Sequence, residues 1–291
     1  MDKPAGWTSI DVCARLRRVF GERRIGHGGT LDPMATGVLP VFVGRATRAA
    51  AFSENAEKQY TAVLRLGLTT NTQDLTGEIL TQLPPEAIQV APEQLEAVLK
   101  QFTGPQEQIP PMYSAVKVNG RRLYALAREG REVERQPRHI VISELELLEQ
   151  DSPEYKIRVR CSKGTYIRTL CADIGAALGC GACMTSLRRT AAGCFTLAQA
   201  VSMDELLALS PEEAAARLLP VDTLFASYPA VYLNSRNAGR CRNGAPVYVR
   251  DTAPGEYRVY AESSPGAEPE FLCLARCDGR TLQTVKSFFE V

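Results

Sequence analysis

Arg24-Ile25-Gly26-His27-Gly28-Gly29-Thr30-Leu31-Asp32-Pro33-Met34-Ala35-Thr36-Gly37-Val38-Leu39-Pro40-Val41-Phe42-Val43 is the stretch on which the reading of this chain turns. Three glycines within four residues free the backbone to turn tightly or to approach a ligand closely. Asp32 precedes Pro33, and the residue before a proline is pushed from the helical region toward an extended one. Its carboxylate therefore projects from a stiff loop. Gly37 to Val43 reads as one short apolar strand that anchors the loop. On pattern alone two readings stand: a Gly-rich connection closed by an Asp-Pro turn, or a carboxylate placed for chemistry beside one of only two histidines.

The rest of the chain narrows the class. Its 291 residues allow one large domain plus a small one. At 45% hydrophobic and 23% charged it has the composition of a soluble globular protein. No apolar run approaches the roughly 20 residues that span a bilayer, and no signal peptide follows Met1. Nine scattered cysteines argue against a disulfide framework and for a reducing, cytoplasmic compartment. The formal charge is only +1, but the cations are segregated. Lys156, Arg158, Arg160, Lys163 and Arg168 fall in one acid-free run, and Arg236, Arg240, Arg242 and Arg250 in another. Arg15, Arg17, Arg18, Arg23 and Arg24 crowd a third region. This suits either a basic face for nucleic acid or ordinary solvated charge.

Along the chain, Val12, Cys13, Leu16, Val19 and Phe20 repeat at helical spacing, between a Thr8–Asp11 capping box and Gly21. Lys58 to Gly67 alternates as a strand, with Tyr60, Ala62, Leu64 and Leu66 on one face. A helix begins at Pro92. Residues 121–138 form an exposed, arginine-rich excursion around a short helix. Ile140–Leu148 and Tyr155–Cys161 are strands, the second with its cations outward. Thr165 caps a helix along Ile167, Leu170, Cys171, Ile174 and Leu178. Residues 187–220 read as Leu/Ala-rich helix preceded by Leu187-Arg188-Arg189. After about Ser227, five short strands predict a small all-β domain.

Most constellations of chemistry fail. There is no P-loop, no dinucleotide fingerprint and no serine-hydrolase elbow. Two histidines make no imidazole metal cluster. The Cys180/Cys183 and Cys273/Cys277 pairs have thiolate spacing, but they sit where small core residues are expected.

Gly26 to Pro40 resembles the active-site motif of the TruB family of tRNA pseudouridine synthases. Asp2-Lys3-Pro4-Ala5-Gly6-Trp7-Thr8-Ser9, Lys58-Gln59-Tyr60-Thr61-Ala62, Pro110-Pro111-Met112-Tyr113-Ser114-Ala115-Val116-Lys117 and Gly164-Thr165-Tyr166-Ile167-Arg168-Thr169-Leu170 are similar to four more family motifs, in family order. Family members usually carry an apolar strand before Asp-Lys-Pro, and this sequence starts at that motif. The resemblance implies an α+β fold: a mixed, largely antiparallel sheet flanked by helices (the pseudouridine synthase fold). It implies a catalytic domain over residues 1–226 with a thumb at about 108–136, and a PUA-like RNA-binding domain over 227–291.

The implied activity is isomerisation of uridine to pseudouridine in the T loop of tRNA, at the conventional position 55. Asp32 would be the catalytic carboxylate, and Arg168 would pair with it. Tyr60 would stack on the flipped uracil and assist proton removal at C5. Tyr166 and Leu187 would line the pocket, and His27 would wedge into the T loop. The cationic strand and the thumb would hold phosphates. The reaction breaks an N1–C1′ bond and makes a C5–C1′ bond without redox or loss of a group, so it needs no cofactor and no metal. A carboxylate acting as nucleophile or base must be ionised, a form that a neighbouring guanidinium favours. Extruding the base costs roughly a few kcal/mol, and stacking on an aromatic ring returns about 1–3 kcal/mol. The stand-alone bacterial type implies tRNA as partner, no membrane, no obligatory protein partner and a monomer. Two alternatives compete: a non-catalytic RNA-binding or tRNA-folding module, and a dyskerin-like, guide-dependent enzyme.

Overall fold

The computed structural model describes residues 1–263 and 267–289. Residues 264–266 and 290–291, inside the predicted 227–291 domain, lie outside the described residues. The chain forms two compact units, neither contiguous in sequence. The first comprises Met1–Ser9, Leu31–Leu39 and Asn55–Met203, and the second Ile10–Thr30, Pro40–Glu54 and Asp204–Val291.

The first unit is built on an eight-stranded sheet. Its order is Asp2–Lys3, Thr36–Val38, Ala182–Ala192, Lys58–Leu66, Glu154–Cys161, Arg138–Asp151, Gly104–Gln108, with Phe195–Thr196 folded back on Ala182–Ala192. Only the pairing of Thr36–Val38 with Ala182–Ala192 is parallel, so the sheet is mixed and largely antiparallel as expected. Lys58–Leu66 shows the predicted alternation, with Tyr60, Ala62, Leu64 and Leu66 buried. Helices Pro92–Gln101 and Ile167–Ala177 flank the sheet, burying Leu95, Val98 and Leu99 and, on the second, Leu170, Cys171 and Ile174.

Three expectations change here. Ala182–Ala192 is a central strand, which takes up the beginning of the region expected as Leu/Ala-rich helix over residues 187–220; the helices come later and are short, Met203–Leu207 and Pro211–Ala216. Ladder bonds on both sides override the helix propensity of its Leu, Arg and Ala residues. Gly37–Val43 is two strands, Thr36–Val38 in the first unit and Val41–Val43 in the second. They part at Pro40, which has no N–H to offer a ladder. Finally, Tyr166, not Thr165, occupies the helix cap; the Thr165 hydroxyl donates to the Ser162 carbonyl instead.

In the second unit, helix Ser9–Phe20 (all but its first residue) buries Val12, Cys13 and Leu16 and exposes Arg15, Arg17 and Arg18. Its five-stranded sheet has the order Ala230–Leu233, Gly255–Ala261, Glu270–Cys277, Thr281–Ser287, Val247–Tyr248, matching the five predicted strands. Phe225 packs among Phe52, Tyr228, Phe271 and Phe288. Gly28 lies so close to the Ala50–Asn55 helix that a Cβ would fall 2.3 Å from the Ser53 hydroxyl. Among the described residues, no helix is long and apolar enough to cross a membrane.

Candidate active site

Asp32 opens a tight turn, its carbonyl accepting from Ala35 N at 3.1 Å, so its side chain leaves a loop as Pro33 required. The loop is tied down from both sides. The Ser9 hydroxyl donates to Leu31 O and accepts from Leu31 N. The buried Lys3 ammonium donates to the carbonyls of Pro4, Trp7 and Pro33 at 2.8, 2.6 and 3.1 Å. The first sequence motif thus acts as a bracket for Asp32.

Arg168, on the first turn of helix Ile167–Ala177, meets this carboxylate across 136 residues of sequence. Its Nε donates to Asp32 Oδ2 at 2.8 Å, and Nη2 lies 3.5 Å from Oδ1. Nη1 donates to Thr72 O at 2.8 Å and Nη2 to Tyr113 O at 3.0 Å. A second carboxylate, Asp74, stands 3.6 Å from Nε. Asp74 is itself fixed: Oδ1 accepts from the Thr72 hydroxyl and from the Thr76 amide and hydroxyl. One buried guanidinium is therefore shared by two acids in different surroundings. The Asp32 side chain keeps 36% of its exposure, the Asp74 side chain 6%. Asp32 can meet a substrate; Asp74 cannot.

Tyr60 lies in the centre of the sheet, directly opposite Arg189 on the neighbouring strand. Burial pushes its phenol above the ordinary 10.0; the Arg189 guanidinium pulls the other way, and Cys161 and Asp32 add smaller upward pushes. Leu187, two residues before Arg189, is paired with Ala62 and buried on the same face. Tyr166 is held by Gln108, whose side-chain Oε1 accepts from Tyr166 N at 2.8 Å and whose Nε2 donates to Tyr166 O at 3.1 Å. This amide holds the backbone of the N-cap residue, at a helix start that has no side-chain cap hydrogen bond. It also fixes the junction from which Arg168 reaches Asp32. His27 belongs to the second unit, where it pairs with Val41.

The structure brings Arg168 onto Asp32, and Tyr60 lies near enough for the Asp32 charge to act on its phenol. Asp74, Gln108 and Arg189 were not singled out from sequence. Asp74 lies in the polar, turn-like stretch Thr69–Gly77, where an Asp reads as a loop residue; only the tertiary pairing distinguishes it. The outward cations of Glu154–Cys161 are neutralised by the next strand. Lys156 pairs with Glu149 at 2.7 Å, Arg158 with Glu146 at 2.7 Å, and Arg160 with Glu144 at 3.4 Å. A phosphate approaching this ladder would have to compete with these carboxylates. In the excursion Arg121 pairs with Glu129, while Arg122 and Arg128 lie over the partly buried Tyr124 ring at 5.8 and 5.5 Å from its centroid. Among the described residues, no group of three or more His, Cys, Asp or Glu is arranged to hold a metal ion.

Residues 17–167 match the model of the TruB family pseudouridylate synthase N-terminal domain, and residues 168–226 that of the tRNA pseudouridylate synthase B C-terminal domain. The tRNA pseudouridine synthase B of Syntrophomonas wolfei subsp. wolfei is 47% identical over 98% of this chain and 94% of its own length. That of Dechloromonas aromatica is 46% identical over 90% and 87%. Among solved structures, a Cbf5-Nop10-Gar1 complex contains a chain with TM-score 0.72 and 26% identity, covering 99% of this chain and 83% of that one.

Proposed function

Because the chain belongs to the TruB family of pseudouridylate synthases, we propose that it isomerises a uridine of the tRNA T loop, at the conventional position 55, to pseudouridine with Asp32 as the catalytic carboxylate. The observation that carries this reading is the Arg168 clamp: a half-exposed carboxylate held at 2.8 Å by a buried, five-donor guanidinium that cannot itself turn outward. Such a pair presents one oriented oxygen to the sugar of an extruded nucleotide and keeps the other on the protein. Tyr60 takes the face of the uracil and assists removal of the C5 proton after the base has turned. Tyr166 and Leu187 complete the pocket, and His27 fills the space left by the flipped base. Residues 108–136 act as a thumb on the loop, with Arg121, Arg122 and Arg128 on phosphates. Residues 227–291 serve as a PUA-like RNA-binding domain, which their five-stranded sheet supports.

The chemistry needs no cofactor, since every bond broken is matched by one remade in the same nucleotide. The chain works as a monomer in the cytoplasm, on tRNA alone. A guide-dependent mode is disfavoured: the Cbf5 likeness is at 24–26% identity, whereas relatives named tRNA pseudouridine synthase B reach 47% over nearly the whole chain. The test is to incubate the purified chain with an unmodified tRNA transcript, without additives, and to map pseudouridine by carbodiimide. The wild type modifies one T-loop uridine. Asp32→Asn does not, while binding stays within several-fold. Modification by Asp32→Asn at the wild-type rate would refute the assignment; binding with no turnover by the wild type would favour a non-catalytic RNA-binding module.

A further inference from the structure

Arg189 is among the most deeply buried large side chains of the protein, at 1% exposure. A cation so placed is costly unless its donors are used. Its surroundings come from three strands. Its own strand, Ala182–Ala192, sets it directly opposite Tyr60 on Lys58–Leu66. On the other side it pairs in parallel with Gly37 of Thr36–Val38. That contact is so close that a Cβ at Gly37, where φ is +101°, would fall 2.2 Å from the Arg189 carbonyl oxygen. The Arg189 Nε donates to Val38 O at 2.6 Å, and across the strand pair its charge pulls the Tyr60 phenol down against the upward push of burial. The side chain is therefore tied at its Nε to Val38, its backbone lies against Gly37, and its strand position sets it beside Tyr60.

We propose that Arg189 is a positioning residue for the reaction, fixing the Tyr60 phenol oxygen from behind and stabilising negative charge on it. The inference rests on the reading that Tyr60 faces the uracil and assists removal of the C5 proton. To receive that proton the phenol must first have given up its own to solvent; the phenolate then takes the C5 proton and returns to phenol, so its negative charge must be tolerated, with the lone pair held in a fixed direction, in a buried site. Burial alone works against this. Of the groups that act on the phenol, Cys161 of strand Glu154–Cys161 and Asp32 push in the same direction as burial, and Arg189 alone opposes it. The Met1 amine, which burial lowers to about 6, also senses Arg189. The same side chain ties the strand that follows Asp32, through Gly37 and Val38, to the strand that carries Tyr60. Carboxylate and phenol are thus held to one frame.

The test reads the phenol directly. A ring-difluorinated tyrosine is placed at position 60 of the full chain, and its fluorine signal is titrated with pH. Arg189→Gln is expected to raise the midpoint by about one pH unit or more, and Arg189→Lys, which keeps the charge, by less. At saturating tRNA, Arg189→Gln is expected to slow single turnover by roughly 10–100-fold while binding stays within a few-fold, with the rising limb of the rate–pH profile moved to higher pH. An unchanged fluorine midpoint in Arg189→Gln overturns the proposal. If that variant does not fold, Tyr60→Phe probes the contact from the other side. Removing only the phenol oxygen is expected to speed hydrogen exchange at the Arg189 guanidinium, and unchanged exchange overturns the proposal. The titration needs no turnover, so its failure overturns this inference alone; absence of pseudouridine formation by the wild type overturns the reading on which it rests.

Discussion

Replacing Arg168 by Met separates the stabilising role of the two-acid site from its catalytic role. The Nε–Oδ2 separation from Asp74 is 3.6 Å. At an effective dielectric constant of ~20 that distance corresponds to an attraction of about 4–5 kcal/mol. Water cannot replace it, because the Asp74 side chain is 6% exposed. Asp32, at 36%, can be resolvated and contributes less. Stranding Asp74 costs about 3–5 kcal/mol, and the carbonyls of Thr72 and Tyr113 lose their donors for about 1 kcal/mol more. The melting temperature of Arg168→Met should therefore fall by roughly 10–20 °C in calorimetry. Adding Asp74→Asn removes the stranded charge. Asn Oδ1 can still accept from Thr72 and Thr76, so about 2–3 kcal/mol should return. Pseudouridine formation should not return, because Asp32 remains unclamped. A double variant no more stable than Arg168→Met, or one that regains activity, would refute this account of the site.

Three further outcomes follow from other contacts. Gln108→Leu loses both bonds to the Tyr166 backbone, so urea unfolding should show a cost of about 2 kcal/mol; Gln108→Glu sets a carboxylate oxygen against Tyr166 O at a site only 4% exposed and should be less stable at pH 7 than at pH 4 relative to the wild type, and no cost for the Leu variant would show that the clamp does not hold the junction. Arg121→Ala, Arg122→Ala and Arg128→Ala combined should weaken tRNA binding and flatten its dependence on salt, whereas Lys156→Ala with Arg158→Ala should change the slope less: Lys156 and Arg158 are both paired, with Glu149 and Glu146, while in the first set Arg121 is paired with Glu129 but Arg122 and Arg128 lie over Tyr124. The Cys161 thiol is pushed by burial from 9.0 up to about 12. Its contribution to stability is whole below pH 9.0 and is lost as pH rises toward about 12, since the unfolded chain releases a proton that the folded chain keeps. Unfolding free energies of Cys161→Ala should fall less steeply over that range than those of the wild type.

What was legible in the sequence is local in its physics. The alternation of Lys58–Leu66, the apolar stripe of Ser9–Phe20 and the five short strands after Ser227 each follow from a side-chain period that needs no distant partner. The loop position of Asp32 follows from the proline beside it. Ala182–Ala192 was not legible as a strand because two register shifts, between Met184 and Ser186 and between Arg189 and Ala191, break its period of two.

Sequence by itself determined which groups are chemically able to act: an aspartate on a stiff loop, a tyrosine on a strand face, an arginine where a helix starts. It also carried the motifs that identify the family. Tertiary structure decided which of the many polar residues are joined to them. Arg168 reaches Asp32 across 136 residues, and Gln108 reaches Tyr166 across 58. Asp74 and Arg189 acquire their roles only through the elements packed against them. A hydrogen bond or ion pair acts over a few ångströms of space, and nothing in the spacing of residues along a chain fixes that distance until the sheet has formed.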